Sequence, residues 1–421
     1  MLTFIHAADI HLDSPLKGLE RYDGAPVDDV RGASRRALTS LVDTIIDENI
    51  PLLVLAGDVY DGDWKDFQTG LFFASQMTRL REAGTHVVLI RGNHDAQNKM
   101  TRSLTLPANV HILSANRPET VRFDDIGVAV HGQSFAGATV TENLAASYPP
   151  PVPGLYNIGL LHTAVAGVDG HANYAPCSQT DLAAHGYDYW ALGHVHDHKV
   201  LVETPPVIYS GVLQGRNIRE TGPKGCVRVD VDETGHTAYR FMPLDVMRFA
   251  RVAVDATDTP DTAAICDRFL AAMERHLAEA EGRPLAMRIQ LSGACPAHSA
   301  LAADPEAAQS LLRTAATDAS GGSAWVEKVI DETTTPIDID ALRDSDTPQG
   351  DLVRFLDELE VSGEAFAELG VDFKDLRAAL SRNGAADITL PDLDDPAQRA
   401  ALLRDVRELV LPRISGAGEA S

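Results

Sequence analysis

Five short segments place side chains of metal-ligating type directly after apolar runs. They are Asp9 and His11 in ADIH, Asp58 in AGDVYD, Asn93 in GNHD, His162 in GLLH, and His194 with His196 in GHVH. Imidazoles, carboxylates and one amide oxygen suit borderline or hard divalent ions; the oxygen share favours manganese, with iron or zinc also compatible. Seven such residues are too many for one ion. They suit two ions about 3.5 to 4 Å apart that share a bridging carboxylate, an arrangement used for phosphoryl chemistry. Singly, an Asp after a strand is most often a cap or turn residue, and a lone His there is most often structural. The ordered set argues for a joint site. In WALGHVHDHK, the histidines at 194, 196 and 198 fall on alternate positions. On a strand, neighbours in that trio lie about 6 to 7 Å apart, so His194 and His196 fit two ions better than one. His198 lies a further step away, beyond the span of an ion pair.

The elements that must position these groups are visible as apolar runs. LTFIHAAD, PLLVLAGD, THVVLIRGN, IGVAVHG, YNIGLLH, YDYWALGH and PPVIYSG read as buried strands, each ending in polar or glycine residues. SRRALTSLVDTIIDENI and DFQTGLFFASQMTRLREAG have helical apolar spacing, the second stopping at Gly84. The alternation predicts an α/β domain over residues 1–245, with ligands at the carboxyl ends of its strands. Beyond TAYRFMPLDV, the strands RFARVAVDA, LAMRIQLSG and WVEKVIDETTTPIDI and a helix opened by Thr259 and Pro260 and closed by Gly282 predict a small α/β domain over 246–340. DSDTPQGD reads as a hinge. The acidic amphipathic helices LVRFLDELEVSGEAFAEL and DPAQRAALLRDVRELVL fill 341–421.

The chain has 421 residues and a net charge of −25, the wrong sign for holding nucleic acid by bulk electrostatics. From Arg251 onward acidic residues outnumber basic ones 32 to 16, against 29 to 20 before it. A polyanionic substrate must therefore meet a local basic patch, metal ions or a basic partner. GRNIRETGPKG supplies Arg216, Arg219 and Lys224 just past the last ligand motif, where backbone phosphates could be gripped. Four scattered cysteines with no Cys-x-x-Cys pair suggest neither a zinc knot nor a disulfide framework, and point to a reducing compartment. The N-terminus reads as a strand rather than a signal peptide. The uncharged stretch from Asn143 to Val168 is broken by Pro149, Pro150, Pro151 and Pro153, so no membrane span is expected and the cytoplasm is the predicted location. His6, His86, His131 and the loop residue His171 read as structural, Cys177 as inert packing and Asp63 as a helix cap.

Taken in order across residues 1 to 215, these motifs resemble the calcineurin-like metallophosphoesterase superfamily. HAADIHLDSPL, LAGDVYDG, IRGNHD, DYWALGHVH and YSGVLQGRNIRETGPKGC are similar to its SbcD and YhaO branch of bacterial DNA repair exonucleases, the YhaO type above all. The resemblance implies a four-layer α-β-β-α sandwich, then a small α/β capping domain and a helical C-terminal tail. It implies that Asp9, His11 and His196 hold one ion, that Asn93, His162 and His194 hold the other, and that Asp58 bridges them. Water acidified between the ions would attack phosphorus as hydroxide. His94 would donate to the leaving oxygen or stabilise its charge, with Asp61 orienting it; archaeal and eukaryotic recombination nucleases tend to carry a histidine in place of Asp61.

The implied activity is a metal-dependent DNA exonuclease, with endonuclease cleavage also compatible, in DNA repair. The implied partners are DNA, a coiled-coil ATPase of the SbcC/YhaN type bound by the tail, and a second copy of the chain bound through helices of the first domain. A phosphatase or small-molecule phosphodiesterase on the same scaffold is the alternative. A pure binding protein is a third reading, against which the complete ligand set argues.

Overall fold

The computed structural model describes residues 1–14, 32–61, 68–97, 105–165, 174–336, 338–370, 373, 391–393 and 395–416. Asp63 and His171 lie outside the described residues. Two compact units are present, the first formed by Met1–Val252, Phe269–Ile289 and Leu311–Val329, the second by Ala253–Arg268, Gln290–Ser310 and Ile330–Ser421.

The first unit is built on two six-stranded sheets. One holds β1 (Leu2–Ala7), β2 (Leu52–Leu55), β3 (His86–Leu89), β4 (Val110–Ile112), β11 (Gly225–Val231) and β12 (Thr237–Pro243), in the order β12-β11-β1-β2-β3-β4. The other holds β5 (Glu119–Phe123), β6 (Val128–Gly132), β7 (Tyr156–His162), β8 (Tyr189–Gly193), β9 (Lys199–Glu203) and β10 (Pro206–Tyr209), in the order β5-β6-β7-β8-β10-β9. The runs β1-β2-β3-β4 and β6-β7-β8-β10 are parallel. Parallel strands are covered on both faces, which is why β2 and β8 are unbroken apolar runs with every residue buried.

Alternate residues of these strands face different layers. Phe4, Leu52, Val54 and Val88 of the first sheet meet Val130, Ile158, Leu160 and Tyr189 of the second in one core between the sheets. Leu38, Leu41 and Ile45 of helix Ala33–Asp47 and Phe73, Met77 and Leu80 of helix Gln68–Glu82 cover the outer face of the first sheet. Leu144, Tyr148, Leu182 and Tyr187 pack with Trp190 on the outer face of the second. Helix, sheet, sheet, helix is thus the observed layering, as expected. β4, β5, β9, β11 and β12 are additions to the predicted strands. In β11 the alternation of Val227 and Val229 with Arg228 and Asp230 fits a half-buried strand rather than a continuous apolar run.

β13 (Arg248–Asp255), β14 (Leu285–Ala294) and β15 (Ala324–Thr334) form a three-stranded sheet in that order. Helix Thr262–Ala280 is opened by Asp261, whose carboxylate accepts from the Ala264 N–H at 2.9 Å; the Thr259 hydroxyl instead donates to the Ala256 carbonyl at 2.6 Å. The stretch DSDTPQGD is a helix start rather than a hinge. Thr347 caps helix Pro348–Val361 by accepting from the Gly350 N–H at 3.1 Å, and Pro348 occupies the first turn. Leu356, Leu359 and Phe366 pack with Leu403 of helix Pro396–Gly416, and Arg407 pairs with Asp357 at 2.6 Å. No helix among the described residues is long and apolar enough to cross a membrane.

Candidate metal centre

The loops that leave β1, β2, β3, β7 and β8 converge at the strand ends of the first unit, bringing their polar residues together. The backbone there is bent sharply. Asp9, His11, Asp58 and His194 have φ of 49°, 44°, 50° and 101°. Such left-handed conformations cost a non-glycine residue on the order of 1–3 kcal/mol and persist where surrounding bonds over-determine them. Those bonds are present. The Asp9 N–H donates to the Gly57 carbonyl and the His11 N–H to the Asp58 carbonyl, both at 3.0 Å. The His194 and His94 N–H groups donate to the carboxylates of Asp9 and Asp58, each at 2.9 Å. Close approach of these loops also needs Gly92, because a Cβ there would lie 2.2 Å from Asp58 Oδ1.

The turn at His194 changes the reading of the histidine trio. β8 ends at Gly193, so the three do not alternate along a strand and the 6 to 7 Å spacing does not apply. His198 points elsewhere: its Nδ1 lies 3.1 Å from the Tyr209 carbonyl oxygen and its ring stacks on Phe241.

Three donor groups have ligand atoms within 4.8 Å of one another: Asp9, His11 and His196; His11, Asp58 and His94; and Asp9, Asp58 and His162. Asn93 joins the last through its Oδ1, 3.0 Å from His162 Nε2. The ring of His194 lies edge-on to those of His162 and Tyr174, each 5.3 Å away. His162 Nδ1 is 2.9 Å from the Ala56 carbonyl oxygen, so that nitrogen carries a proton and Nε2 faces the carboxylates.

These residues fit a cation on two counts. Asp9 is fully buried, and its Oδ1 has no hydrogen-bond partner, a costly state for a carboxylate oxygen unless a cation satisfies it. His11 Nε2 and His196 Nε2 lie 3.3 Å apart, while the opposite nitrogens face the carboxylates of Asp61 at 3.5 Å and Glu220 at 2.7 Å. Two imidazole nitrogens turned toward one another with carboxylates behind them suit a shared ion.

The electrostatics agree with a site built for positive charge. Burial alone would raise the Asp58 carboxyl, but neighbouring His162 holds it below the usual range. Burial alone would lower His162, but Asp58 raises it to about 9. His94 is raised chiefly by its contact with Asp61, 3.1 Å from Nδ1. Burial would raise Asp61, yet contacts with His11, His94 and the Ser14 hydroxyl hold it low.

Of Arg216, Arg219 and Lys224, only Arg219 is exposed. Arg216 pairs with Glu220 at 2.9 Å, and Lys224 is buried with its ammonium 2.6 Å from Asp197. Sequence reasoning gave no role to Glu220 or Asp95. Asp95 accepts from the N–H groups of Val59, Tyr60 and Gly92, which clips the β2 and β3 loops together. The spacing of Arg216 and Glu220, four residues apart, was the available signal for the first. His6 is buried between Tyr189 Oη at 3.0 Å and the Leu192 carbonyl oxygen at 3.1 Å, and His131 between Thr120 and Asn157, both structural as expected.

Residues 2–198 match the calcineurin-like phosphoesterase family, and residues 249–334 match the middle domain of the metallophosphoesterase YhaO. The chain is 35% identical over 299 residues to the metallophosphoesterase YhaO of Bacillus subtilis, spanning 70% of this chain and 72% of that protein. It is 22% identical over 269 residues to the DNA double-strand break repair protein Mre11 of Methanopyrus kandleri, spanning 58% and 57%.

Proposed function

This chain belongs to the calcineurin-like metallophosphoesterases, and on that premise we propose that it is a metal-dependent nuclease that hydrolyses phosphodiester bonds at DNA ends, with endonuclease cleavage open to the same centre. The family implies phosphoester hydrolysis; the likeness to a protein named for DNA double-strand break repair supports DNA as the phosphoester and repair as the setting. The observation that carries the reading is the buried donor set with its Asp9 oxygen that no hydrogen bond reaches and its facing imidazoles. Asp9, His11 and His196 would hold one ion, Asn93, His162 and His194 the other, and Asp58 both. When bound, such a pair, manganese being favoured by the three oxygen donors, acidifies water and offsets phosphate charge.

The chain's own groups then divide the work. Asp61 holds the Nδ1 side of His94, which would leave Nε2 to give a proton to the departing oxygen, and the same contact with Asp61 raises the basicity of His94 and so favours its protonated form. Arg219, exposed to solvent, would meet a backbone phosphate; Arg216 and Lys224 would first have to exchange Glu220 and Asp197 for it. The proposed organisation is a nuclease domain over 1–245, a capping domain over 246–340, supported by the match at 249–334, and a partner-binding region over 341–421. That acidic region would dock a coiled-coil ATPase supplying the basic surface that a chain of charge −25 lacks, and helices of the first domain would pair two copies. Four unpaired, buried cysteines support the reducing cytoplasm as its location.

Purified protein with manganese is to be assayed on end-labelled duplex DNA and on p-nitrophenyl phosphate. Nucleotide release that falls roughly 10²- to 10⁴-fold in His94→Ala supports the nuclease. Efficient monoester turnover with DNA left intact would establish the phosphatase instead.

A further inference from the structure

We infer that Glu220 is a positioning residue for the metal centre, fixing the His196 imidazole in the tautomer that offers Nε2 to a cation, and that Arg216 serves this carboxylate rather than substrate. The inference rests on the two-ion reading of the centre. Glu220 is buried, and its Oε1 lies 2.7 Å from His196 Nδ1. At that distance two lone pairs would repel, so Nδ1 must carry the proton and donate it. A neutral ring then has a bare Nε2, and that atom is the one 3.3 Å from His11 Nε2.

Glu220 is itself held from several sides. Its Oε2 accepts from the Arg216 backbone N–H at 2.7 Å, its Oε1 accepts from Arg216 Nη2 at 2.9 Å, and its own N–H donates to the Asn217 carbonyl at 2.9 Å. Arg216 Nη2 also lies 3.1 Å from His196 Nδ1, but a nitrogen already donating to Glu220 cannot accept from it. The same guanidinium reaches within 3.9 Å of Asp61 Oδ1. One arginine therefore spans two carboxylates, one behind His196 and the other behind His11 and His94. Carboxylates that take the second N–H of a metal-binding histidine typically contribute about 10- to 100-fold in metal affinity. A surface ion pair would have no such effect.

The test uses the full chain, freed of metal, as wild type, Glu220→Ala, Glu220→Gln and Glu220→Asp. Manganese is titrated by calorimetry and counted by elemental mass spectrometry, and the His196 tautomer is read in metal-free protein from long-range proton–nitrogen spectra. Wild type should show the Nδ1–H tautomer and bind two ions. Glu220→Ala should weaken one ion about 10- to 100-fold, leave the other unchanged and admit the Nε2–H tautomer. Glu220→Gln, whose amide oxygen still accepts from Nδ1–H, should recover most of both. Glu220→Asp, charged but one methylene short, should behave like the alanine variant and carries the comparison if that variant fails to fold. Wild-type tautomer and affinity in the alanine or aspartate variant overturn the positioning role alone; wild type that takes up fewer than two ions overturns the two-ion reading, whatever the tautomer shows.

Discussion

Lowering the pH of metal-free protein from 8.5 to 6.5 should weaken the binding of one ion about 100-fold, because His162 holds a proton that the ion must displace. His162 Nδ1 is committed to the Ala56 carbonyl, so the displaceable proton sits on Nε2, between Asn93 Oδ1 at 3.0 Å and Asp58 Oδ2 at 3.4 Å. Both neighbours accept, and the charge on Asp58 lifts the group from 6.5 to about 9 against its burial. Below that value each pH unit removes a factor of ten from the fraction able to bind, about 1.4 kcal/mol per unit and about 2.7 kcal/mol over the two units tested. Manganese titrations at pH 6.5, 7.5 and 8.5, with the protons released on loading counted, measure it directly. An affinity that does not change with pH for either ion, or loading without proton release, would refute the reasoning. The sign also fixes the stability of the metal-free fold. A histidine raised above its unfolded value contributes fully below pH 6.5 and loses that contribution as pH rises through about 9, so metal-free protein should melt lower at pH 9.5 than at 6.5.

Three further outcomes are expected. Gly92→Ala should push the Asp58 carboxylate aside and weaken both ions in calorimetry, since the new Cβ would sit 2.2 Å from Oδ1; unchanged affinities would reject the close-approach argument. His194→Ala and His196→Ala should each lose a different ion by elemental analysis and His198→Ala neither, and equal loss in all three would contradict the separate placement of His198. His6 is lowered from 6.5 to about 3 by burial, so its contribution is present above pH 6.5 and is lost as pH falls toward 3 by about 1.4 kcal/mol per unit. Denaturant midpoints at pH 7, 6 and 5 with chelator should fall less steeply in His6→Gln than in wild type; parallel curves would show that His6 already titrates normally in the fold.

The parallel strands other than β4 were legible because burial on both faces writes an unbroken apolar run, as in LLVL of β2 and YWALG of β8. The strands β4, β5, β9, β11 and β12 were not, because partly exposed residues interrupt their pattern. At Thr347 and Pro348, a hinge reading gave way to a cap followed by a first-turn proline, a pairing already present in the sequence. The ligand types in the centre were legible because each follows a strand end. What lies behind them was not. Glu220 meets His196 across 24 residues, and only the fold makes them neighbours. Arg216 and Lys224 were read as residues that could grip backbone phosphate, whereas in the fold they pair with Glu220 and Asp197. Positive φ at His194 likewise defeats any strand-based spacing.

Those left-handed positions at Asp9, His11, Asp58 and His194 have an evolutionary consequence. Glycine adopts such φ values without a Cβ penalty, and asparagine tolerates them well. Removing a ligand by changing it to alanine discards chemistry and keeps the strain, whereas changing it to glycine relieves the strain as well. At Asp9 and Asp58 that same change would also delete the carboxylate that accepts from the His194 or His94 N–H, so decay of the centre sets relieved backbone strain against a lost tie between loops. The retention of a bulkier donor at all four positions runs against the preference of the backbone that carries it.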